Sequence, residues 1–354
     1  MVKLKFVLWN MEWLNALFVA DDQGPKFHND DYVARRFKPG SNTKQRKEAF
    51  SNVLAYLSPD VVVAVEGPSR QGELQLFFDS VAPGQWRTML QGPGSQSIGI
   101  AVRMDQGKFK NVPLKDLGDA KLAGDAFQRF TEDIDDDGIE ESYKFIRKPL
   151  YVEVSLESGK AFRVLGLHLK SKGIFEPQEW SKWWKKAEAN RKKLVAEATH
   201  LRREFLDVYL QDPKTKDIPL IVCGDVNDGP GFDAAEQKLF KSGIEQLMGT
   251  VWRPELALRN AIFDALPEKH KREMKFTSFM TTAYDDQIFN TEKKINAWID
   301  HILYTDNYKK AWVTDACIYD VPLDAKKCKD KIEDYLKKYR HASDHAPVSV
   351  FLHV

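Results

Sequence analysis

Acidic, amide and histidine side chains recur in this sequence where apolar runs stop, and these residue types suit metal-assisted hydrolysis. The positions are Asn10, Glu12, Glu66, His168, Asp225, Asn227, Asp300, Asp344 and His345. Carboxylate and amide oxygens favour Mg²⁺ or Mn²⁺, and nothing in the sequence resembles a Cys/His zinc motif. A histidine beside carboxylates and basic residues can assist attack of metal-activated water on a phosphorus centre. The residue types therefore point to phosphoester chemistry.

Glu66 and Asp225 each follow an apolar run, and the recurrence of this pattern strengthens the case for a site. Glu66 directly follows Val61–Val65, a run apolar enough for a central strand buried on both faces. Taken alone, Glu66 is either a solvated strand terminus or a ligand for a hard cation. Asp225 follows a second apolar run, in which Gly224 permits a tight departure from the sheet. Asn227 faces the same way as Asp225 if the backbone stays extended.

Short β-type runs alternate with a few helical patterns. The predicted strands are Lys5–Trp9, Val61–Glu66, Ser97–Arg103, Leu150–Ser155, Phe162–His168, Pro219–Gly224, Trp298–Tyr304 and Pro347–Leu352. The predicted helices are Thr43–Leu57 and Gln178–Leu210. Because polar residues stand where several strands end, we expect these ends to meet at one edge of a sheet.

The second helix carries one apolar stripe with Lys and Arg on its other faces. Its members are Trp180, Ala187, Leu194, Leu201 and Val208, with Trp184, Ala198 and Phe205 on the adjacent track. This pattern is typical of a helix that lies on a core, and a coiled coil is the alternative. Arg191 stands on the Trp184 track, where its guanidinium either reaches solvent or points at an anion.

Composition limits the function classes. The 354 residues carry 53 Lys and Arg against 52 Asp and Glu, so any polyanion site must be local.

Length favours two domains, although one large domain fits equally well, and no linker is visible. We expect a single domain over 1–354 with an insertion around 108–147. No apolar run approaches the roughly 20 residues that a membrane span needs.

The cellular compartment is inferred from cysteines and from the start of the chain. Cys223, Cys317 and Cys328 form no disulfide framework, and Met1–Asn10 is too short and interrupted for a signal sequence. We therefore expect a cytoplasmic protein, while a secreted form that has lost its signal stays open. No protein partner is implied.

Five motifs follow one another in a single order along the chain. They are Leu8–Glu12 (LWNME), Pro59–Glu66 (PDVVVAVE), Gly224–Asn227 (GDVN), Ile299–His301 (IDH) and Ser343–His345 (SDH). Together they resemble the endonuclease/exonuclease/phosphatase superfamily, which includes pancreatic-type deoxyribonucleases, apurinic endonucleases, sphingomyelinases and inositol polyphosphate phosphatases. The resemblance runs from residue 6 to 351. It implies an α/β fold, a four-layered sandwich of two facing, mostly antiparallel sheets between outer helices, with the active site at one end.

The resemblance also implies a metal site. Glu66 resembles the metal-binding glutamate of the superfamily, and Asn10 resembles the asparagine that assists the metal. Glu12 and Asp344 are implied as further acids on the metal side, although apurinic endonucleases tend to have Asp where Glu12 stands. The expected ion is Mg²⁺ or Mn²⁺.

The other roles that the resemblance implies are catalytic. His345 resembles the catalytic histidine, and Asp300 the carboxylate that fixes its tautomer and raises its basicity. Asp225 and Asn227 resemble the pair that orients the attacking water and contacts the phosphate. His168 stands where deoxyribonucleases carry a second histidine and apurinic enzymes a tyrosine.

Three features favour a polynucleotide substrate. His168 opens a basic loop that would place Lys170 and Lys172 beside the scissile phosphate, and Arg191 is expected to reach the phosphate from the helix. The helix itself is rich in Lys and Arg. Tryptophans that offer stacking faces to bases stand near its start: Trp180, Trp183 and Trp184. Helix charges are otherwise solubility features, and tryptophans at helical spacing are otherwise core residues.

We therefore expect an endonuclease-type nuclease with nucleic acid as its substrate. One alternative is a phosphatase or phosphodiesterase that acts on a small or lipid phosphoester of the inositol phosphate or sphingomyelin type. A second alternative is a non-catalytic binding module, although every core acid and His345 are present.

An additional acidic motif lies outside this set. Asp133–Gly138 (DIDDDG) matches the opening of a calcium loop. Position twelve is Lys144 instead of a bidentate glutamate, with Glu140 or Glu141 as possible replacements. The segment Asp133–Asp137 is therefore either a structural Ca²⁺ site or a solvated acidic loop.

Overall fold

The computed structural model describes residues 1–20, 23–36, 40–92, 94–174, 179–230, 236–272, 279–284, 295–306, 308–324 and 327–354. Within these ranges, most strands belong to two large sheets. The first sheet contains, in spatial order, Val321–Pro322, Val313–Ile318, Val348–His353, Lys3–Asn10, Val61–Gly67, Ser97–Arg103 and Trp86–Gln91. The second sheet contains Leu258–Asn260, Asp300–Thr305, Leu220–Asp225, Ala161–His168, Leu150–Leu156 and Phe109–Asp116.

Helices and smaller elements complete the described structure. The α-helices are Thr43–Leu57, Gln71–Val81, Lys121–Ala126, Trp180–His200, Asp207–Gln211, Gly243–Met248, Ala261–Ala265, Glu268–Arg272 and Cys328–Lys338. The 3₁₀ turns are Leu14–Leu17, Met104–Gln106, Glu236–Lys238 and Pro254–Leu256. Two short hairpins pair Phe130–Glu132 with Glu141–Tyr143, and Thr282–Tyr284 with Ile295–Ala297. No helix in the described ranges is long and apolar enough to cross a membrane.

The two sheets pack face to face, and the alternation of side chains along the strands shows this directly. Ile221 and Cys223 belong to the buried cluster that includes the first sheet, whereas Leu220 and Val222 belong to a cluster with the long helix. Successive side chains of a strand point to opposite faces, so the second sheet is buried on both sides. The helix Thr43–Leu57 packs on the first sheet. The predicted four-layered α/β sandwich is confirmed.

Strand register brings the motif residues to one end of this sandwich. Asp225 lies opposite Asp300 in an antiparallel pair and beside His168 in a parallel pair. In the first sheet, Asn10 lies beside Val65. Both large sheets contain one such parallel pair among otherwise antiparallel neighbours, so several carboxyl ends meet at the same edge. This is the placement that the sequence predicts.

The long helix differs from its sequence pattern in one respect. It starts at Trp180, continues to His200, and then passes through a π-helical segment, Leu201–Leu206. A π turn adds a residue, which rotates every later side chain by about 100°. Val208 is consequently 45% exposed and Tyr209 is buried, which corrects the predicted stripe. Residue 178, the predicted start, lies outside the described residues.

The segment 108–147 is only in part an excursion from the fold. Its first residues, Phe109–Asp116, form an edge strand of the second sheet, paired with Leu150–Leu156. This strand is not evident from the sequence, because charged residues interrupt the alternation of apolar and polar residues. Its pairing register also shifts between Phe109 and Leu114. The edge strand Trp86–Gln91 and the strand Val313–Ile318, next to the other edge of the first sheet, are likewise additional to those predicted.

We expect Gly224→Ala to be much more destabilising than a glycine substitution elsewhere. Gly224 has φ of 155°, and a Cβ there would lie 1.9 Å from the Leu167 carbonyl oxygen of the neighbouring strand. Overpacking against backbone and the unfavourable φ together should cost about 3 kcal/mol or more. Gly159→Ala is the matched control, because φ is also positive there but no atom lies within 4 Å of the added Cβ. Urea unfolding measures both variants, and equal losses would contradict the packing argument.

Candidate active site

Glu66 reaches the site because its strand bulges there. Pairing with the neighbouring strand shifts register between Ala64 and Gly67, and Glu66 itself has φ of 55°. A side chain in this left-handed conformation is turned out of the regular alternation. The Trp13 backbone N–H donates to Glu66 Oε2 at 3.0 Å, which fixes the carboxylate.

Asn10 joins two acids across the gap between the sheets. Its Nδ2 donates to Asp225 Oδ2 at 3.0 Å and to Glu66 Oε1 at 3.3 Å. Its Oδ1 accepts from the Glu12 backbone N–H at 3.0 Å. Asn10 is buried, and in this arrangement its amide holds two carboxylates from different sheets close together.

His345 and Asp300 form the hydrogen-bonded pair that the sequence predicts. His345 Nδ1 lies 2.7 Å from Asp300 Oδ2, and both residues are buried. Burial lowers the pKa of His345, but the charge and hydrogen bond of Asp300, with Asp344 and Asp225, outweigh it and hold that pKa well above its usual range. The pair therefore fixes the ring through Nδ1 and leaves Nε2 for other partners.

Asp225 sits where the negative charge of the site is greatest. Burial, followed by the charges of Asp300 and Glu66, raises its pKa to about 7. Each of Asp225, Asp300 and His345 offers a ligand atom within 4.8 Å of the others. Asp300 Oδ1 is buried without a hydrogen-bond partner among the described residues. Such uncompensated buried carboxylates fit a hard divalent cation, which would neutralise them.

His168 completes the cluster as a neutral imidazole. Its Nε2 lies 3.9 Å from Asp225 Oδ2 and 4.0 Å from Glu66 Oε1. Burial, with the positive charges of Arg147 and His345, lowers its pKa well below the usual range. A neutral ring at this place can hydrogen-bond a substrate oxygen without adding charge.

Glu12 and Asp344 lie beside this cluster and contact each other. The Asp344 backbone N–H donates to Glu12 Oε2 at 3.0 Å, and Asp344 Oδ1 lies 4.0 Å from His345 Nε2. Glu12 Oε2 also lies 3.9 Å from a guanidinium nitrogen of Arg46. Glu12 Oε2 thus contacts both a backbone amide and a cation.

Asn227 does not extend in line with Asp225, contrary to the prediction. Its φ is 56°, and its backbone N–H folds back to donate to Asp225 Oδ1 at 2.9 Å. Its Nδ2 donates to the Leu169 carbonyl oxygen at 3.1 Å. The turn thus ties the end of one strand to the loop that follows His168.

The three predicted phosphate-binding cations have different surroundings. The ammonium of Lys172 is paired with the carboxylates of Asp228 and Glu236. Arg191 donates to the carbonyl oxygens of Lys172 and Ala187, at 3.0 and 3.1 Å. These contacts anchor the helix to the loop.

Lys170 lies in a locally basic region. Its Nζ donates to the Ser171 carbonyl oxygen, and its backbone N–H donates to the buried carboxylate of Glu197 at 2.8 Å. Burial and the charges of Lys193 and Arg147 lower the pKa of its ammonium. An anion bound beside this ammonium would stabilise its charged form and so raise its pKa again.

Arg147 is a site residue that sequence reasoning missed. Its guanidinium donates to Gln96 Oε1 at 3.1 Å, and burial lowers its pKa against the opposing charges of Glu66, Asp225 and Glu197. These charges show that it stands beside the acidic cluster. A single arginine between a charged segment and a proline carries no motif, so only the fold reveals it.

The acidic loop and the tryptophans also have definite places. Asp133, Asp135 and Asp137 each offer an oxygen within 4.8 Å of the others. Lys192 pairs with Asp135, and Lys241 pairs with Asp136 at 3.2 Å, so lysines compensate part of this charge.

Trp184 of the long helix is 51% exposed, which corrects its placement on the apolar stripe.

Three solved structures illustrate what this chain is similar to. TDP2 from D. rerio, complexed with single strand DNA product, is 14% identical, with 99% of each chain covered and a TM-score of 0.46. An endonuclease/exonuclease/phosphatase family protein from Bacteroides thetaiotaomicron is 12% identical, with 99% of this chain and 95% of that chain covered and a TM-score of 0.49. A mannosyl-6-phosphatase from Bacteroides thetaiotaomicron is 12% identical, with 99% of this chain and 100% of that chain covered and a TM-score of 0.49. One of these three structures carries the family name that the five motifs resemble.

No protein-family model matches the chain, and no curated protein matches it. Members of one fold catalyse different reactions, so the chemistry is argued from the site residues themselves.

We expect Glu66→Gln to weaken Mn²⁺ binding at least about tenfold, equivalent to about 1.4 kcal/mol, because a carboxylate ligand is lost while the side-chain shape is kept. Calorimetry measures this dissociation constant without any substrate. Asp133→Asn is the matched control, since it removes a carboxylate from the separate acidic loop. Unchanged binding in Glu66→Gln, with loss in Asp133→Asn, would place the ion in that loop.

Proposed function

We propose that this chain is a divalent-metal-dependent phosphodiesterase, and specifically an endonuclease-type nuclease that hydrolyses nucleic-acid phosphodiester bonds. The observation that carries the proposal is the buried His345–Asp300 pair, 2.7 Å apart, in one cluster with Asp225. Asn10 connects this cluster to Glu66. An acid–base histidine next to an excess of carboxylates is the arrangement that metal-assisted hydrolysis requires.

Each residue has a distinct part in the reaction. Glu66 would hold a divalent cation together with Asn10 and Asp225, and this cation would neutralise charge on the phosphate and the leaving oxygen. Asp225 orients the attacking water. The water gives a proton to His345 Nε2 as its oxygen bonds to phosphorus, and this proton passes to the leaving oxygen as the ester P–O bond breaks. Asp300 holds the imidazole by Nδ1 and stabilises its charged form. His168 and Asn227 hydrogen-bond the remaining phosphate oxygens, which positions the ester for in-line attack.

Basic and aromatic side chains support nucleic acid as the substrate. Arg147 and Lys170 lie next to the site, and the start of the helix Trp180–His200 carries exposed lysines together with Trp184. A positively charged path follows a phosphate backbone, and an exposed indole can stack on a base.

A second candidate is a phosphatase or phosphodiesterase for a small or lipid phosphoester. It is favoured by Lys172, whose pairing with Asp228 and Glu236 removes a cation from the path of a long polyanion.

Substrate consumption tests the proposal directly. We expect the protein with Mg²⁺ or Mn²⁺ to nick supercoiled plasmid, and the same preparation with His345→Ala to leave it intact. Single-stranded DNA, RNA, inositol phosphates and sphingomyelin form the comparison panel. Turnover of a small or lipid ester alone would establish the second candidate, and binding without any turnover would identify a non-catalytic module.

Kinetic coupling tests the histidine–aspartate pair. His345→Ala should lower kcat by about 10²–10⁴-fold, the usual contribution of general acid–base catalysis. Asp300→Asn should reduce the rate strongly on its own but add little to His345→Ala, because residues that act as a unit are non-additive. Fully additive losses in the double variant would show that the two residues act independently.

A further inference from the structure

Arg46 is a buried arginine on the helix Thr43–Leu57, with 1% of its surface exposed. It stands on the buried face of this helix, in register with Ala49, Phe50 and Val53. A charged residue at such a position is retained only when its charge and hydrogen bonds are satisfied. Its contacts therefore indicate what it does.

The guanidinium of Arg46 binds the backbone of the loop that follows the first strand. Its Nη2 donates to the carbonyl oxygen of Glu12 at 2.7 Å and to that of Met11 at 3.2 Å. Its Nη1 lies 3.9 Å from Glu12 Oε2. One side chain thus contacts both the backbone and the carboxylate of this loop.

The loop is held in an unfavourable conformation. Glu12 and Trp13 have φ of 41° and 54°, which is the left-handed region for two consecutive residues that are not glycine. Such a conformation persists only when surrounding contacts stabilise it. Carbonyl oxygens turned inward by it need donors, and Arg46 supplies them.

This loop orients the acids of the proposed metal site. The Trp13 N–H fixes Glu66, and the Glu12 N–H fixes the Asn10 amide that joins Glu66 to Asp225. Glu12 Oε2 accepts from the Asp344 N–H, next to His345. The loop therefore connects the carboxyl end of the first strand with the Ser343–His345 motif.

We propose that Arg46 is a positioning residue that holds the Met11–Trp13 loop in place and thereby aligns Glu66 and Asp344, an assignment that rests on the function proposed above. Glu12 then acts through its contacts with Arg46 and the Asp344 amide. Burial lowers the pKa of the guanidinium while Glu12, Asp344 and Glu66 oppose this, in keeping with a cation held among acids.

Arg202 provides a matched control in the same chain. It is also buried, donates to the carbonyl oxygens of Leu247 and Leu256 at 3.2 and 2.9 Å, and pairs with Asp207. It lies away from the site, near the opposite end of the second sheet, where Leu258 pairs with Thr305. Loss of Arg202 should therefore cost stability without changing the site.

The experiment compares Arg46→Met, Arg46→Lys and Arg202→Met by Mn²⁺ calorimetry, thermal unfolding and amide hydrogen exchange. Residues that orient metal ligands typically contribute about 10–100-fold to metal affinity, and we expect this loss in Arg46→Met. Arg46→Lys keeps the charge with fewer donors and should recover most of the affinity. Arg202→Met should lower the unfolding temperature and leave the Mn²⁺ dissociation constant unchanged.

Amide exchange separates this inference from the proposed function, because it needs no metal. The N–H groups of Trp13 and Asp344 should lose protection in Arg46→Met and retain it in Arg202→Met. If Arg46→Met does not fold, the same amides in Arg46→Lys should show partial loss. Wild-type protection and wild-type Mn²⁺ affinity in an Arg46 variant would overturn the assignment. Absence of Mn²⁺ binding in the unmodified protein would instead refute the metal site, and the exchange result would still decide the role of Arg46.

Discussion

One end of the sandwich brings together the carboxylates of the buried Asp225 and Asp300 and of the partly exposed Glu66. The surrounding structure compensates much of their negative charge. Burial and mutual repulsion raise the pKa of Asp225 to about 7. The Asn10 amide binds two of these acids, and His345 binds the third. A buried carboxylate without such partners would be strongly destabilising. These partners neutralise the negative charge of the three acids only in part, and a divalent cation would neutralise the remainder.

Several residues around the same acids have a strained backbone. Glu12, Trp13, Glu66 and Asn227 all have positive φ although none is glycine. The backbone N–H groups of Trp13 and Asn227 donate to the carboxylates of Glu66 and Asp225, and that of Glu12 donates to the Asn10 amide that joins these two acids. Strain of this kind is maintained by the rest of the fold, which fixes functional groups in one geometry before a substrate arrives.

Much of this arrangement could be predicted because the polar residues interrupt very regular strands. Glu66 ends a wholly apolar run, and Asp300 and His345 each adjoin a strand that is buried in the structure. The meeting of these residues at one end of the sandwich then follows from strand pairing within each of the two sheets. The strand and helix bounds differ from the predictions by only one or two residues in most elements.

The remaining features depend on contacts between distant parts of the chain. Lys172 looks free in its basic loop, and only folding brings Asp228 and Glu236 to it. Asn227 turns back because its φ is positive, which alternation along a strand does not predict. Arg46 does have a sequence signal, since it interrupts the apolar face of a helix, but its partners lie more than thirty positions away.

Anomalous diffraction at the manganese edge, from crystals grown with Mn²⁺, tests most directly the claim that these carboxylates form a metal centre. We expect a strong anomalous peak at coordination distance from a Glu66 carboxylate oxygen, within the cluster that contains Asp225. A peak confined to the Asp133–Asp137 loop, or the absence of any peak near Glu66 at saturating Mn²⁺, would contradict it.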